Sequence, residues 1–176
     1  KAGDRVKTDR RDAQKLARLY RAGELTTITV PSVEQEAVRD LVRARDDVRK
    51  DLTAARHRLA KFLIRHGHVY SAGTKWTLKF WAWAKKLVFE RLAERLTFEH
   101  YVAAIQHLVE RRAALDRELE RIAGTEPYLA PVRRLACLRG ISTLSALALA
   151  AEIGDFRRFA SPRQLMAYLG LVPREY

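Results

Sequence analysis

Residues 38–62 read VRDLVRARDDVRKDLTAARHRLAKF, and in them Val38, Leu41, Arg45, Val48, Leu52, Ala55, Leu59 and Phe62 recur at alternating steps of three and four. A helix with that interval turns one stripe of side chains toward a partner along its length, roughly 37 Å for a run of this size. Residues 98–122 repeat the pattern through Phe98, Tyr101, Ile105, Leu108, Arg112, Leu115, Leu119 and Ile122. The chain is therefore expected to be mainly α, with a long antiparallel coiled-coil hairpin over residues 34–125. One arginine interrupts each seam, Arg45 in the first run and Arg112 in the second. Polar seam residues set register and partner at a cost in stability. Two arrangements stay open: copies of the chain joined through these seams, or a hairpin packed on itself with its arginines snorkelling to water.

Between the runs, residues 70–96 make a tip rich in aromatic rings and cations. Trp76, Trp81 and Trp83 are interleaved with Lys75, Lys79, Lys85 and Lys86. Trp76, Phe80, Trp83 and Leu87 recur at four, three and four, so most of these rings are expected in a buried helical stripe. Lys75, Lys79 and Lys86 remain as candidates to hold phosphates of RNA or DNA, with an unburied ring such as Trp81 to stack on a base. His66, His68, His100 and His107 have no metal-ligand spacing.

After Gly124-Thr125-Glu126-Pro127 the composition changes. Leu129, Val132, Leu135 and Leu138 suit a short helix, Arg139-Gly140-Ile141-Ser142 a tight turn, and residues 143–153 an alanine-rich helix ended by Gly154. This is a helix-hairpin-helix pattern, which aims backbone N–H groups of the hairpin and of the second helix's start at a phosphate without reading sequence. Its candidate contacts are Arg139, Gly140, Ser142 and Thr143. Ser142 stands where the usual motif has a second glycine, and a purely structural αα-hairpin is the alternative. Ser161, Pro162 and Gln164 open a third helix, which Gly170 ends.

At the other end, residues 6–17 set Asp9 and Asp12 three apart among Lys7, Arg10, Arg11 and Lys15. A helix over residues 9–22, stopped by Gly23, puts both carboxylates on one face with Ala13, Leu16 and Tyr20, and Arg11, Lys15 and Arg18 on the other. Carboxylates beside an apolar stripe need a positive partner, and a hard cation such as Mg²⁺ is one. Acids in a first turn also favour the helix dipole, and Lys7, Arg10 or Arg11 can pair with them. Both readings follow from the spacing.

The 176 residues are 48% apolar, enough to bury a core, and 31% charged, as extended helices would be. A formal charge of +13 and a pI near 10.4 point to a polyanion. The first 23 residues carry +5, whereas residues 101–125 are neutral. Such a charge, with Gly140-Ile141, disfavours a scaffolding coiled coil. Cys137 stands alone, so no intramolecular disulfide or zinc set forms and a reducing cytoplasm is expected. No apolar run reaches membrane length, and no membrane partner is expected.

Lys7-Thr8-Asp9, Asp12-Ala13, Leu16-Ala17-Arg18-Leu19 and Gly23-Glu24-Leu25 together resemble the end of the RuvC-like nuclease domain in one family of insertion-sequence transposases. The resemblance runs on through residues 37–45, residues 62–67, Leu138-Arg139-Gly140-Ile141, residues 151–159 and residues 164–173, in one order. These recombinases have a DEDD acid set, a separate C-terminal transposase domain, and a structured guide (bridge) RNA that pairs with donor and target DNA. The resemblance implies that Asp9 and Asp12 are the last two acids of the set, catalytic residues that bind Mg²⁺, and that Lys7, Arg10 and Arg11 contact nucleic acid. It implies homodimerisation or higher assembly through the heptad region, and a prokaryotic cytoplasm beside the nucleoid. It divides the chain into residues 1–33, the end of the RuvC-like domain; 34–125, the coiled coil; and 126–176, the start of the transposase domain. The first acids of the set and a DNA-attacking serine are then expected outside these residues, and the segment alone is expected to be inactive. The competing class is a non-catalytic, architectural nucleic-acid-binding coiled coil.

Overall fold

The computed structural model describes residues 8–25 and 28–171. Among the described residues there are seven α-helices, one 3₁₀ turn and no strand. The chain divides into two units, Lys1–Ser32 and Val33–Tyr176.

In the first unit, α1 spans Asp9–Arg21, one residue short of the expected helix. Thr8 is its N-cap, accepting from the Arg11 backbone N–H at 3.4 Å, and Gly23 follows the C-cap with a φ of 69°. No residue of α1 is buried. The stripe expected through Ala13, Leu16 and Tyr20 is exposed, and the half-buried positions are Asp12 and Leu19, one heptad apart.

The second unit is organised by α2 (Val33–Arg65) and α4 (Leu92–Ala123). They run antiparallel: Arg45 meets Asp116, Phe62 lies 5.8 Å from the Tyr101 ring, and His66 Nδ1 is 3.6 Å from Glu94. Val48, Leu52, Ala55, Leu59 and Phe62 of the first seam are buried, as are Ile105 and Leu119 of the second. The heptad stripes thus close on each other within one chain. Neither helix carries enough apolar surface to stand alone in water, so this mutual burial holds both. Gly67 ends α2: its φ of 77° lets His68 N–H reach the Leu63 carbonyl at 2.9 Å and Gly67 N–H reach Ile64 at 3.0 Å.

Two apolar clusters lie along the hairpin. Toward the tip, Leu52, Ala55, Leu59, Phe62, Leu63 and Ile105 are joined by Phe80 and Ala84 of α3 (Leu78–Ala84) and by Tyr70. Toward the base, Leu119 and Ala123 pack with Val132 of α5 (Leu129–Ala136) and with Ala146, Leu147, Ala150 and Ala151 of α6 (Thr143–Ile153). Between the clusters, Asp116 takes a 2.7 Å hydrogen bond from Arg45 Nε and lies 3.9 Å from Arg112 Nε. One carboxylate therefore serves both seam arginines and marks the register of the hairpin.

α6 is fixed at its end. Arg39 on α2 donates to the Ala151 carbonyl at 2.8 Å and to the Glu152 carbonyl at 2.7 Å, and Gln35 also donates to Ala151, at 2.8 Å. These carbonyls have no partner within their own helix, so α2 completes α6. Glu36 holds the clamp, accepting from Arg39 and Arg43 at 3.0 Å each. Beyond a 3₁₀ turn at Phe156–Arg158, α7 (Pro162–Tyr168) returns Tyr168 to Arg158, whose guanidinium lies 4.4 and 4.5 Å from the Phe159 and Tyr168 rings. Ser161 caps α7, and Gln164 Oε1 accepts from the Ala160 backbone N–H at 2.8 Å, a reciprocal cap one residue before Ser161.

Leu59 is fully enclosed. Leu59→Ala is expected to destabilise the chain by about 2–5 kcal/mol in urea unfolding, and Leu59→Met by less than about 1.5 kcal/mol, because the first leaves a cavity and the second conserves volume.

The hydrogen bond from Arg39, reinforced by Arg43, holds the Glu36 carboxyl below its ordinary value of 4.5. A depressed folded pKa contributes stability that is present above the unfolded value and lost as pH falls through the folded one. Melting temperature is therefore expected to fall below pH 4.5 less steeply in Glu36→Gln than in the unmutated chain.

Candidate nucleic-acid interface

Asp9 and Asp12 both lie in the first turn of α1, where the aligned peptide dipoles favour negative charge. Among the described residues no ion pair to either carboxylate is seen. Lys7 lies outside the described residues. Two carboxylates are hard oxygen donors that suit a Mg²⁺-like ion, but they fill only part of an octahedral shell. Among the described residues no group of three His, Cys, Asp or Glu side chains assembles around them.

At the tip, α3 begins at N-cap Thr77, whose side chain accepts from Phe80 N–H at 3.3 Å. The expected stripe is only partly helical. Phe80 is buried and Trp83 packs beside it, but Trp76 precedes the helix with a φ of 70° and swings its ring onto Phe80, 4.8 Å between centroids. Trp81 is half-buried, lying 5.2 Å from Phe80 and 5.9 Å from Trp76. Lys75, Lys79 and Lys86 are exposed, and among the described residues no carboxylate pairs with them. They spread positive charge over the tip without a shared pocket.

In the C-terminal segment, α5 and α6 form the expected pair around a turn in which Gly140 adopts a φ of 90°, a conformation that excludes most side chains. Ser142 is the N-cap of α6, its hydroxyl accepting from Ser145 N–H at 3.2 Å. A serine thus performs a helix-start role where a second glycine was the comparison, and its side chain is engaged with its own helix. Thr143 and Arg139 are exposed beside it.

One surface escaped the sequence reading. His57, Lys61 and Arg65 follow one another at intervals of four on α2, with Arg58 beside them, and with Phe62 and Tyr101 they line an open hollow of about 330 Å³. Like charges four apart repel one another along a helix. Among the described residues neither Arg58 nor Lys61 has an ion pair. The signal was present in the four-residue spacing of the cations, but the apolar seam of the same helix drew the reading.

The chain resembles insertion-sequence transposases. Residues 2–67 match the DEDD transposase model of the IS110 type, and residues 132–176 match the model described as "Transposase IS116/IS110/IS902 family". The chain is 43% identical over 99% of its length to the putative transposase y4qE of Sinorhizobium fredii, and covers 42% of that protein. It is 39% identical over 91% of its length to the transposase for insertion sequence element IS1533 of Leptospira borgpetersenii, covering 47%, and 28% identical to that for IS1111A of Coxiella burnetii, covering 46%. No solved structure matches. The chain carries transposase domains of the IS110/IS116 family, and it spans less than half the length of these curated relatives. Among the described residues no helix is long and apolar enough to cross a membrane.

Ser142→Ala is expected to lower stability by about 1 kcal/mol, and Ser142→Gly by a few tenths, as loss of an N-cap does. Thermal melting of the two variants measures the difference.

Proposed function

We propose that this chain is the part of a DNA transposase that contributes the last two acids of a DEDD set and binds DNA and a structured guide RNA during strand cleavage and exchange. The observation that carries the reading is the match of residues 2–67 to a DEDD-type transposase domain, a span that contains both Asp9 and Asp12. Such domains use divalent metal. Asp9 and Asp12 would hold Mg²⁺, which when bound supplies charge neutralisation at the scissile phosphate. The carboxylates themselves contribute hard oxygen donors.

The nucleic-acid side of the reading is supported by the charge of +13 and by cations that, among the described residues, have no carboxylate partner: Lys75, Lys79 and Lys86 at the tip, and Arg58 and Lys61 on α2. Arg10, Arg11 and Lys7 would extend this surface beside the acids, and Arg139, Gly140, Ser142 and Thr143 would approach a phosphate from the α5–α6 turn. These groups suit phosphate contact and make no base-reading pair, in keeping with sequence recognition through a guide RNA. Self-association through the heptad region, also implied by the family, would use the seam residues that the hairpin leaves half-buried, among them Phe98, Leu108 and Leu115.

The test is strand cleavage by the full-length transposase. Asp9→Asn and Asp12→Asn are each expected to abolish cleavage and exchange while leaving the melting temperature of the chain unchanged or slightly raised, since two like charges are separated. Wild-type cleavage by Asp12→Asn would remove that residue from the metal set and favour a non-catalytic, architectural role.

A further inference from the structure

Charge is divided unevenly along α2. In its first half every cation, Arg39, Arg43, Arg45, Arg49 and Lys50, meets a carboxylate at 3.0 Å or less. Residues 52–65 contain no acid at all. There His57, Lys61 and Arg65 follow one another at four-residue steps, about 6 Å of helix rise each, with Arg58 beside them. All four are exposed, and among the described residues none has an ion pair. The opposite helix does not supply the missing charge: Glu99, the acid nearest to Tyr101 in the sequence of α4, lies 3.9 Å from Arg95. Cations spaced in this way repel one another, so an anion along the file relieves it.

The same four side chains border an open hollow of about 330 Å³, together with Phe62 and Tyr101, and no carboxylate lines it. Phe62 is buried, with the Arg65 guanidinium 5.8 Å from its ring centroid and the Tyr101 ring 5.8 Å away at 70°. Tyr101 is half-buried, and among the described residues its hydroxyl makes no hydrogen bond. One partly open ring thus stands within a frame of cations.

We propose that this hollow seats an unpaired stretch of a nucleic-acid strand, with phosphates along Arg58, Lys61 and Arg65 and one base against Tyr101. The inference rests on the nucleic-acid reading above, and it adds a seat built from α2 and α4 rather than from the tip lysines. Charge alone would suit a duplex equally; the ring decides between them. Bases of a duplex stack on one another inside the helix, whereas an unpaired base turns its face to an aromatic side chain while cations follow the backbone. A hollow of about 330 Å³ is of the size that small ligands occupy, with room for one base and its sugar and too little for a paired helix. Unpaired DNA and an RNA loop offer the same groups.

The experiment measures fluorescence anisotropy of labelled oligouridylate, oligothymidylate and a DNA duplex of equal phosphate number over a salt series, at temperatures where melting curves show each variant folded. Lys61→Gln/Arg65→Gln is expected to bind the unpaired strands about tenfold more weakly, with a log–log salt slope shallower by about 0.7 for each phosphate released. Tyr101→Leu is expected to weaken the same strands about tenfold at unchanged slope and to leave duplex affinity as it was. Tyr101→Phe keeps the ring and should keep most of the affinity. The unpaired strand held more tightly, uridylate or thymidylate, identifies RNA or DNA as the source. Should Tyr101→Leu fail to fold, the Lys61→Gln/Arg65→Gln variant, altered only at exposed side chains, must lose more affinity for the unpaired strands than for the duplex. Equal losses on strands and duplex, with no effect of Tyr101→Leu, make the hollow a plain phosphate patch and overturn the seat. If the unmutated chain binds and every variant matches it, the seat is wrong and the nucleic-acid reading stands on its other cations. If the unmutated chain binds none of the probes, both fall.

Discussion

Everything described in the larger unit depends on α2 and α4 burying their stripes against one another. Each helix alternates a narrow apolar seam with a broad charged surface, so neither gains enough from its own hydrogen bonds to stay helical alone. Leu52, Leu59 and Ile105 become inaccessible only when the two runs are antiparallel and in register. The Arg45–Asp116 contact lies where a one-turn slip would carry the carboxylate away from both seam arginines. Register in this hairpin is therefore under electrostatic as well as apolar control.

That register decides what can dock at each end. At the base, α2 projects beyond α4's C-terminal end far enough for Gln35 and Arg39 to reach the terminal carbonyls of α6. The alanine-rich face of α6 lets its backbone come close, and Arg39 supplies the hydrogen bonds that a helix end lacks. The segment after α4 thus shares a core with the hairpin although the composition changes at Gly124-Thr125-Glu126-Pro127. At the tip, the aromatic cluster seals the other end and leaves the lysines outside it.

The helices themselves were readable from residue spacing because their causes are local. Thr8, Thr77, Ser142 and Ser161 cap where hydroxyl-bearing residues precede helical runs, and Gly23, Gly67, Gly154 and Gly170 follow helix ends in the conformation that glycine tolerates best. The candidate site was readable to a lesser degree. Asp9 and Asp12 could be picked out by their three-residue step, and their first-turn position agrees with it, but a carboxylate at a helix start serves a dipole and a metal equally well. Spacing could not separate those roles, and the family match to residues 2–67 is what favours the second.

The sequence by itself determined that this protein is helical, which stripe of each long run is apolar, and that its surface is strongly cationic, because each follows from side chains acting within a few residues of one another. Tertiary structure alone decided that the two seams close within one chain, that Asp116 serves both seam arginines, and that Trp76 leaves its helical stripe for a left-handed turn. These pairings join residues far apart in the chain. Their geometry is set by how two rigid helices interlock, a many-body packing outcome that periodicity restricts but does not specify.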